Sequence, residues 1–240
     1  MAIICRDHKL LFIMVPGTGC SAIGGVLRRD LGGEFLPDEP VSNGASVLLG
    51  KKHNTIDQLL KYKVLSKEEL NELLVFAAVR NPFDRFATEY QRLLGDWYDR
   101  AFDSKWFDGT SEDVKKKVIR RINARRFLFR RIGFNNWMKA KLLKWEIQRW
   151  LKPGKNKDRH LHLVYPMING VEVLIRFEHL EDDLKGVLQR AGIESPLSLR
   201  HGNKTPGKRP FQEYYSRSTR WMMEKVLEKE LERFGYKFEG

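Results

Sequence analysis

Apolar residues in the first third of the chain fall into two continuous runs, and each run is followed by residues that favour the start of a helix. The first run, Leu10–Val15, is followed by the small-residue loop Pro16–Ser21 and by Ala22–Leu31, whose apolar positions recur at helical spacing. The second run, Leu73–Ala78, precedes Asn81–Pro82, which favour an N-cap and the first position of a helix. Short apolar runs bounded by turn residues are typical of buried strands. The pattern therefore predicts two strand–loop–helix units.

Later segments repeat this alternation. Val171–Phe177 is predicted to be a strand, and Leu180–Ala191 is predicted to be the helix that follows it, ended by Gly192. Ser216–Phe234 predicts one long C-terminal helix, whereas Gly32–Gly50, rich in Gly, Pro and Ser, predicts a loop. Alternating strands and helices are typical of α/β folds built on a parallel sheet.

The net charge of +13 is concentrated in one segment. Between Val114 and His160 the chain has seventeen Lys or Arg residues and two acidic residues, whereas the rest has 27 basic and 29 acidic residues. We expect this segment to form most of a helical, basic insertion over residues 97–160. Such a local field favours an anionic partner, namely nucleic acid, a sulfated or acidic glycan or a membrane surface, although for part of the segment a solvated helical face is the better interpretation.

Length and composition are those of a folded globular protein. The 240 residues are enough for one domain with a sizeable core. Two cysteines, Cys5 and Cys20, are too few for a disulfide framework or a metal site. No apolar run approaches the length of a membrane span, and Leu10–Val15 is too short for a signal sequence. We therefore expect one cytoplasmic domain over residues 1–240, with no metal and no transmembrane segment.

Two predicted strand ends carry groups that suit phosphate. Arg80 follows a strand at the edge where open α/β sheets bind ligands, and Thr88 comes two helical turns later. An Arg fork and a hydroxyl at this spacing suit a dianionic phosphate, while a surface ion pair between Asp84 and an Arg is the simpler alternative. The loop Pro16–Ser21 directs backbone N–H groups and a helix N-terminus in a similar way. It lacks the Gly-Lys-Ser/Thr of a Walker loop, which disfavours ATP or GTP hydrolysis.

Five segments, taken in order, resemble carbohydrate-type sulfotransferases that use 3′-phosphoadenosine 5′-phosphosulfate (PAPS). Arg80-Asn81-Pro82-x-Asp84-Arg85-x-x-Thr88-x-Tyr90 resembles the family's 3′-phosphate motif, and Phe12–Ser21 occupies the place of its 5′-phosphosulfate loop. The other matching segments are Lys52-His53-x-Thr55, Arg176-Phe177-Glu178-x-Leu180-x-x-Asp183, and His201-x-Asn203-Lys204-Thr205 with Tyr214-Tyr215 and Phe234-Gly235-Tyr236-x-Phe238. The resemblance fades in the basic segment.

The resemblance implies sulfuryl transfer from PAPS to a hydroxyl acceptor, a glycan or glycan-like molecule, with 3′,5′-adenosine bisphosphate (PAP) left behind. It implies that Arg80 and Thr88 hold the 3′-phosphate, and that His53, beside Lys52, takes the acceptor proton. Glu178 is a second candidate for the base, although the resemblance suggests that it has a structural role near the nucleotide. The donor-binding residues that it implies are Pro16, Gly17, Thr18, Gly19, Cys20, Ser21, Arg80, Thr88, Lys204, Lys208 and Arg209.

Gly17 departs from the family pattern, which has Lys after the Pro of this loop. That Lys contacts the phosphosulfate and the bridging oxygen, where negative charge builds. Either the loop N–H groups suffice, helped by Lys51 or Lys52, or activity is low or lost; we favour the first interpretation.

Two other functions compete with this one. A basic nucleic-acid-binding protein accounts for the charged segment and its interleaved aromatic residues, but not for Arg80-Asn81-Pro82 or for the first loop. A small-molecule kinase is disfavoured by the missing Walker Lys. We therefore predict an α/β fold, a P-loop-like parallel sheet flanked by helices with a basic helical insertion, acting with PAPS on a hydroxyl acceptor such as an acidic glycan, and without a stable nucleic-acid partner.

Overall fold

A computed structural model describes residues 2–44, 47–50, 53–97, 99, 111–151, 165–194, 199 and 205–239. Contacts divide the chain into two compact units. Unit 1 comprises Met1–Arg80 and Leu161–Asn203, and unit 2 comprises Asn81–His160 and Lys204–Gly240. The organisation of residues 1–240 as one domain stays a prediction. Lys51, Lys52 and Lys204 lie outside the described residues.

The described strands belong to unit 1 and form two sheets. They are β1 (Ala2–Cys5), β2 (Leu10–Ile13), β3 (Glu34–Leu36), β4 (Val41–Ser42), β5 (Val47–Leu49), β6 (Leu74–Val79) and β7 (Val173–Arg176). Five of them make the central sheet in the order β3-β1-β2-β6-β7, and β4 pairs with β5 separately. Strands β2, β6 and β7 run parallel, whereas β1 is antiparallel to both of its neighbours.

The coarse prediction of an α/β fold is therefore confirmed, but the prediction of a wholly parallel sheet is wrong. The cause is β1, a four-residue strand that is fully buried at the start of the chain. A single 3₁₀ turn, Arg6–His8, and Lys9 in the left-handed region (φ 51°) return the chain directly into β2, so the pair must be antiparallel. The predicted loop Gly32–Gly50 likewise contains β3, β4 and β5. A P-loop-like character stays a prediction.

The helices with described bounds are distributed over both units. They are α1 (Cys20–Asp30), α2 (Ile56–Lys61), α3 (Lys67–Asn71), α4 (Pro82–Leu94), α5 (Glu112–Leu151), α6 (Tyr165–Ile168), α7 (Leu180–Arg190), α8 (Arg217–Val226) and α9 (Glu228–Phe234). The predicted C-terminal helix is thus two helices, because the buried Leu227 (φ −105°, ψ 14°) leaves helical geometry between α8 and α9. Within the described ranges, no helix is long and apolar enough to cross a membrane.

The core of unit 1 lies where α1 and α7 pack on the central sheet. Phe12 of β2 stacks on Phe76 of β6 with ring centroids 4.9 Å apart. Ile23 and Leu27 of α1 and Leu184 of α7 belong to the same cluster, and each is at most 1% exposed. Burying a side chain of this size stabilises the fold by about 1.5–3 kcal/mol. This packing fixes the carboxyl ends of the parallel strands, where the predicted ligand-binding residues begin.

The described secondary structure of unit 2 is helical, and the basic insertion over residues 97–160 stays a prediction. Helix α5 is broken at Gly133, whose φ of 75° lies in the left-handed region that favours glycine. Directly after the break, Phe134 and Trp137 pack against Tyr90 of α4 with centroids 5.3 and 5.2 Å away. Most basic side chains of the described part of α5 are exposed, namely Lys116, Lys117, Arg120, Arg121, Arg125, Arg130, Arg131 and Lys144. The helix therefore combines an aromatic buried side with a basic exposed one.

Candidate functional site

Three neighbouring parallel strands of unit 1 end at one edge of the central sheet. In the parallel register, Ile13 of β2 lies opposite Ala77 of β6, and Val79 of β6 lies opposite Arg176 of β7. The chain therefore leaves this edge three times, into the loop after β2, at Arg80 after β6, and at Phe177 after β7. This is the edge where open α/β sheets bind ligands.

Arg80 connects these three strand ends within unit 1. Its Nη1 donates a hydrogen bond of 2.9 Å to the carbonyl oxygen of Gly17, and its guanidinium carbon lies 4.0 Å from the ring centroid of Phe177. Only 6% of the residue is exposed. The bond to Gly17 uses one of the five N–H donors of the guanidinium, and the ring fixes its plane. Sequence reasoning assigned Arg80 to phosphate but missed Phe177 as the residue that orients it.

The loop after β2 is shaped by two glycines in the left-handed region, Gly17 (φ 82°) and Gly19 (φ 81°). Thr18 is fully buried, and its Oγ1 donates to the carbonyl oxygen of Val15 at 2.8 Å. Cys20 packs in the core cluster, and α1 begins at this residue. Because the side chains of Thr18 and Cys20 face the interior, the loop offers a ligand mainly its backbone, near the positive end of α1.

The conformation of this loop bears on the missing Lys. A Lys in place of Gly17 would have to adopt φ near 82°, which costs an L-residue about 1–2 kcal/mol. Gly19 is constrained further, because a Cβ there would lie 2.9 Å from Cδ2 of Leu180. The loop therefore has a geometry of its own that suits glycine at both positions.

His53 lies against the end of β2. Its Nδ1 is 2.9 Å from the carbonyl oxygen of Met14. A carbonyl oxygen only accepts hydrogen bonds, so Nδ1 carries the proton and donates it. In the neutral ring, the acceptor nitrogen is then Nε2, the tautomer that a general base requires. The residue is exposed, and Thr55 two positions on caps α2 through a capping box with Gln58. The adjacent candidate, Lys52, lies outside the described residues.

Unit 2 holds the other predicted donor-site residues. Asn81 caps α4 by accepting from the backbone N–H of Phe83 at 3.0 Å, and Pro82 is the first helical residue, so both local predictions are confirmed. Thr88 is 4% exposed, and its Oγ1 donates to the backbone carbonyl of Asp84 at 2.9 Å. The carboxylate of Asp84 forms an ion pair with Lys208.

The other two residues that were predicted to bind the donor near the C-terminus are Lys204 and Arg209, and no described ion pair holds Arg209 against α4 as Lys208 is held. Arg209 forms an exposed ion pair with Glu213 at 3.2 Å, and Lys204 lies outside the described residues. Glu178 is exposed next to the stacked ring of Phe177. The described residues include no group of three or more His, Cys, Asp or Glu side chains arranged to hold a metal ion.

An open cavity of about 640 Å³ on unit 2 presents an aromatic surface. It is lined by Ser216, Arg217, Ser218 and Trp221, and Trp221 is 60% exposed. Asn135 of α5 accepts a 2.8 Å bond from the backbone N–H of Ser216 and fixes the turn that precedes α8. Arg217 forms no ion pair with any described residue. The cavity therefore offers a flat ring, hydroxyls and a guanidinium on a fixed backbone.

Comparisons with known proteins identify the family of the chain. Carbohydrate sulfotransferase 11 of Mus musculus is 26% identical to the chain over 204 residues, which cover 82% of the chain and 54% of the relative. The chain thus spans about half the length of this curated relative. No solved structure matches the chain significantly. The profile described as "Sulfotransferase family" matches residues 1–237, nearly the whole sequence, and the chain therefore belongs to the sulfotransferase family.

Proposed function

We propose that this chain transfers a sulfuryl group from PAPS to a hydroxyl of a glycan. The observation that carries the proposal is the edge of the unit 1 sheet, where Arg80 is bonded to the Gly17 carbonyl and His53 is bonded to the Met14 carbonyl. A cation that is held in place and a histidine of defined tautomer, both beside the loop of a sulfotransferase-family chain, are what this transfer needs. No metal takes part in the proposed reaction.

The nucleotide supplies an activated sulfuryl group, and the chain supplies donors and a base. In the transfer, the bond between sulfur and the bridging oxygen breaks, a bond between sulfur and the acceptor oxygen forms, and the bridging electron pair leaves with PAP. Backbone N–H groups of the loop Pro16–Ser21 and the N-terminus of α1 stabilise the negative charge that develops there. Nε2 of His53 takes the hydroxyl proton, which contributes about 10²–10⁴-fold to the rate. Lys52 assists from the same segment.

Arg80 and Thr88 are the proposed ligands of the 3′-phosphate. Arg suits a phosphate better than Lys does, because its planar fork forms two hydrogen bonds at once. The stacked ring of Phe177 favours this role, since a guanidinium already held in one orientation loses less entropy on binding. Lys204, Lys208 and Arg209 stay predicted contributors to nucleotide binding.

The proposed acceptor is a glycan that bears acidic groups. The mouse relative is, by its name, a carbohydrate sulfotransferase. The cavity at Trp221 offers a sugar ring a flat aromatic face, and Arg217 offers a carboxylate a guanidinium. The exposed basic side of α5 adds long-range attraction for an acidic polymer. The same basic side also fits nucleic acid, which keeps that alternative in the test.

The test begins with thermal stabilisation by PAP compared with AMP. We expect PAP to raise the melting temperature and AMP to leave it nearly unchanged, because only PAP carries the 3′-phosphate. Transfer of radiolabelled sulfate from PAPS to a panel of acidic and neutral polysaccharides then identifies the acceptor. Equal stabilisation by both nucleotides, or no shift with PAP together with salt-sensitive binding to single-stranded DNA, refutes the proposal. A cytoplasmic location stays a prediction that cell fractionation tests.

A further inference from the structure

One face of α4 is covered by the chain segment 205–210. Asp84, Thr88 and Gln91 follow each other at helical spacing on this face, with Arg92 beside them. Gln91 Nε2 donates to the carbonyl oxygen of Pro206 at 3.5 Å, and Arg92 Nε donates to Thr205 Oγ1 at 3.0 Å. Asp84 holds the other end of the segment through Lys208.

Thr88 lies in the middle of the covered face. Its low exposure of 4% agrees with this position. Because its hydroxyl donates to the carbonyl oxygen of Asp84, the same residue holds Thr88 through its backbone and Lys208 through its side chain. The environment of Thr88 therefore depends on how the segment 205–210 is seated.

The Asp84–Lys208 pair is more enclosed than the other ion pairs around it. The side chains are 16% and 21% exposed, whereas those of Arg209 and Glu213 in the adjacent pair are 62% and 49% exposed. Salt screens enclosed charges less than exposed ones. Removal of one partner also leaves the other charge poorly solvated, which is more damaging than loss of a surface pair. Asp84 further lies in the first turn of α4, where the helix dipole favours a carboxylate.

From these contacts we infer that Asp84 is a positioning residue for the donor nucleotide. Its carboxylate holds Lys208, and through it the segment 205–210, against α4 beside Thr88. Lys208 then acts through the position of the segment and not as a ligand of the phosphate. This inference rests on the proposed function and assigns to Asp84 a part in nucleotide binding.

The two roles for Lys208 predict opposite results for a change at Asp84. If Lys208 were a phosphate ligand, Asp84→Asn would release its ammonium group and leave PAP affinity unchanged or higher. If Asp84 positions the segment, Asp84→Asn weakens PAP binding by as much as Lys208→Met does, about 10-fold for a coupling of ordinary size. The loss of affinity in the double variant is then smaller than the sum of the losses in the two single variants, because both changes remove the same ion pair.

Calorimetric titration of PAP into the full chain tests these expectations. The variants are Asp84→Asn, Lys208→Met, both together, and the exchange Asp84→Lys with Lys208→Asp, which we expect to restore part of the lost affinity. Lys225→Met is the matched control, because Lys225 forms an exposed pair with Glu228 at 3.3 Å, and its PAP affinity should equal that of the wild type. Hydrogen exchange of the segment 205–210 without nucleotide should rise in both single variants.

The outcomes separate this inference from the function on which it rests. Undiminished PAP affinity in Asp84→Asn beside weakened affinity in Lys208→Met overturns the positioning role and leaves the sulfotransferase proposal standing. Unchanged exchange of the segment in both single variants overturns it as well. A wild-type chain that does not bind PAP refutes the proposed function, and the inference falls with it.

Discussion

The buried carboxyl of Glu230 makes the stability of the protein depend on pH in a predictable direction. Glu230 is 3% exposed in α9, and burial raises its pKa to about 7, with the Arg85 guanidinium offsetting part of the rise. An ordinary Glu titrates at 4.5. Below pH 4.5 the carboxyl is protonated in both the folded and unfolded states and costs no stability. As the pH rises from 4.5 through 7, the unfolded state ionises first, so folding stability falls.

The substitution Glu230→Gln removes this dependence, because an amide of nearly the same size is neutral at every pH. The pKa difference of about 2.5 units between 4.5 and about 7 corresponds to about 3 kcal/mol. The free energy of unfolding of the variant should therefore equal that of the wild type near pH 4.5. The difference in favour of the variant should grow as the pH rises to 7 and reach up to about 3 kcal/mol above pH 7.

Urea denaturation of both proteins at pH 5, 6, 7 and 8 measures the difference. Glu232→Gln is the control, because Glu232 is exposed on the same helix and should change stability by no more than about 0.5 kcal/mol at any pH. A stability difference for Glu230→Gln that is the same at pH 5 and pH 8 would show that the carboxyl is not held neutral by burial. The reasoning is also refuted if the variant is less stable than the wild type at pH 8.

Four further substitutions test the site. Arg80→Lys should weaken PAP binding at least ~10-fold in calorimetry, because the flat fork that stacks on a ring is lost. His53→Ala should lower kcat by about 10²-fold or more with little change in PAP affinity, since it removes the base and not a phosphate ligand. Gly19→Ala should destabilise the fold by about 1–3 kcal/mol in urea, because φ is 81° and the new Cβ meets a side chain at 2.9 Å. Trp221→Ala should raise the KM for a glycan acceptor and leave the KM for PAPS unchanged.

Controls for these variants come from the same chain. Gly25→Ala lies within α1 with no atom within 4 Å of the added Cβ, and it should stabilise the protein by about 0.5–1 kcal/mol. Wild-type turnover in His53→Ala would rule out His53 as the base. Unaltered PAP affinity in Arg80→Lys would show that the planar guanidinium is not required for PAP binding. A parallel loss of PAPS and acceptor binding in Trp221→Ala would mean that the ring supports the fold and not the glycan.

Local sequence patterns predicted the elements that lead into the site. The apolar runs before Pro16 and Arg80 are strands, and Asn81–Pro82 opens α4, because these signals depend on residues adjacent in the chain. The mixed sheet was not predictable in the same way. A four-residue strand such as β1 has no periodicity to read, and only its pairing with β2 gives it a direction.

The contacts of the site residues could not be predicted from the sequence for a related reason. Asp84 and Lys208 are 124 positions apart in the sequence. Arg80 stacks on the ring of Phe177, which directly follows β7 in the second sequence segment of unit 1. Nothing in the local sequence indicates which long-range pair forms. The carboxylate of Asp84 inside the Arg80–Tyr90 motif is a local signal that indicates an ion pair, but it does not indicate that Lys208 is a partner.

The discontinuity of unit 1 has a consequence for synthesis of the protein. The side chain of Glu172, just before β7, accepts a bond from the backbone of Val75 in β6, a contact that spans 97 positions. Closing such a loop costs about 2 kcal/mol more than closing one tenfold shorter. At about 5–20 residues per second, Arg80 is synthesised roughly 5–20 s before Phe177. A nascent chain that stalls between these two residues contains Arg80 but not the Phe177 ring that orients it. The edge of the central sheet that holds Arg80 is therefore completed late in translation.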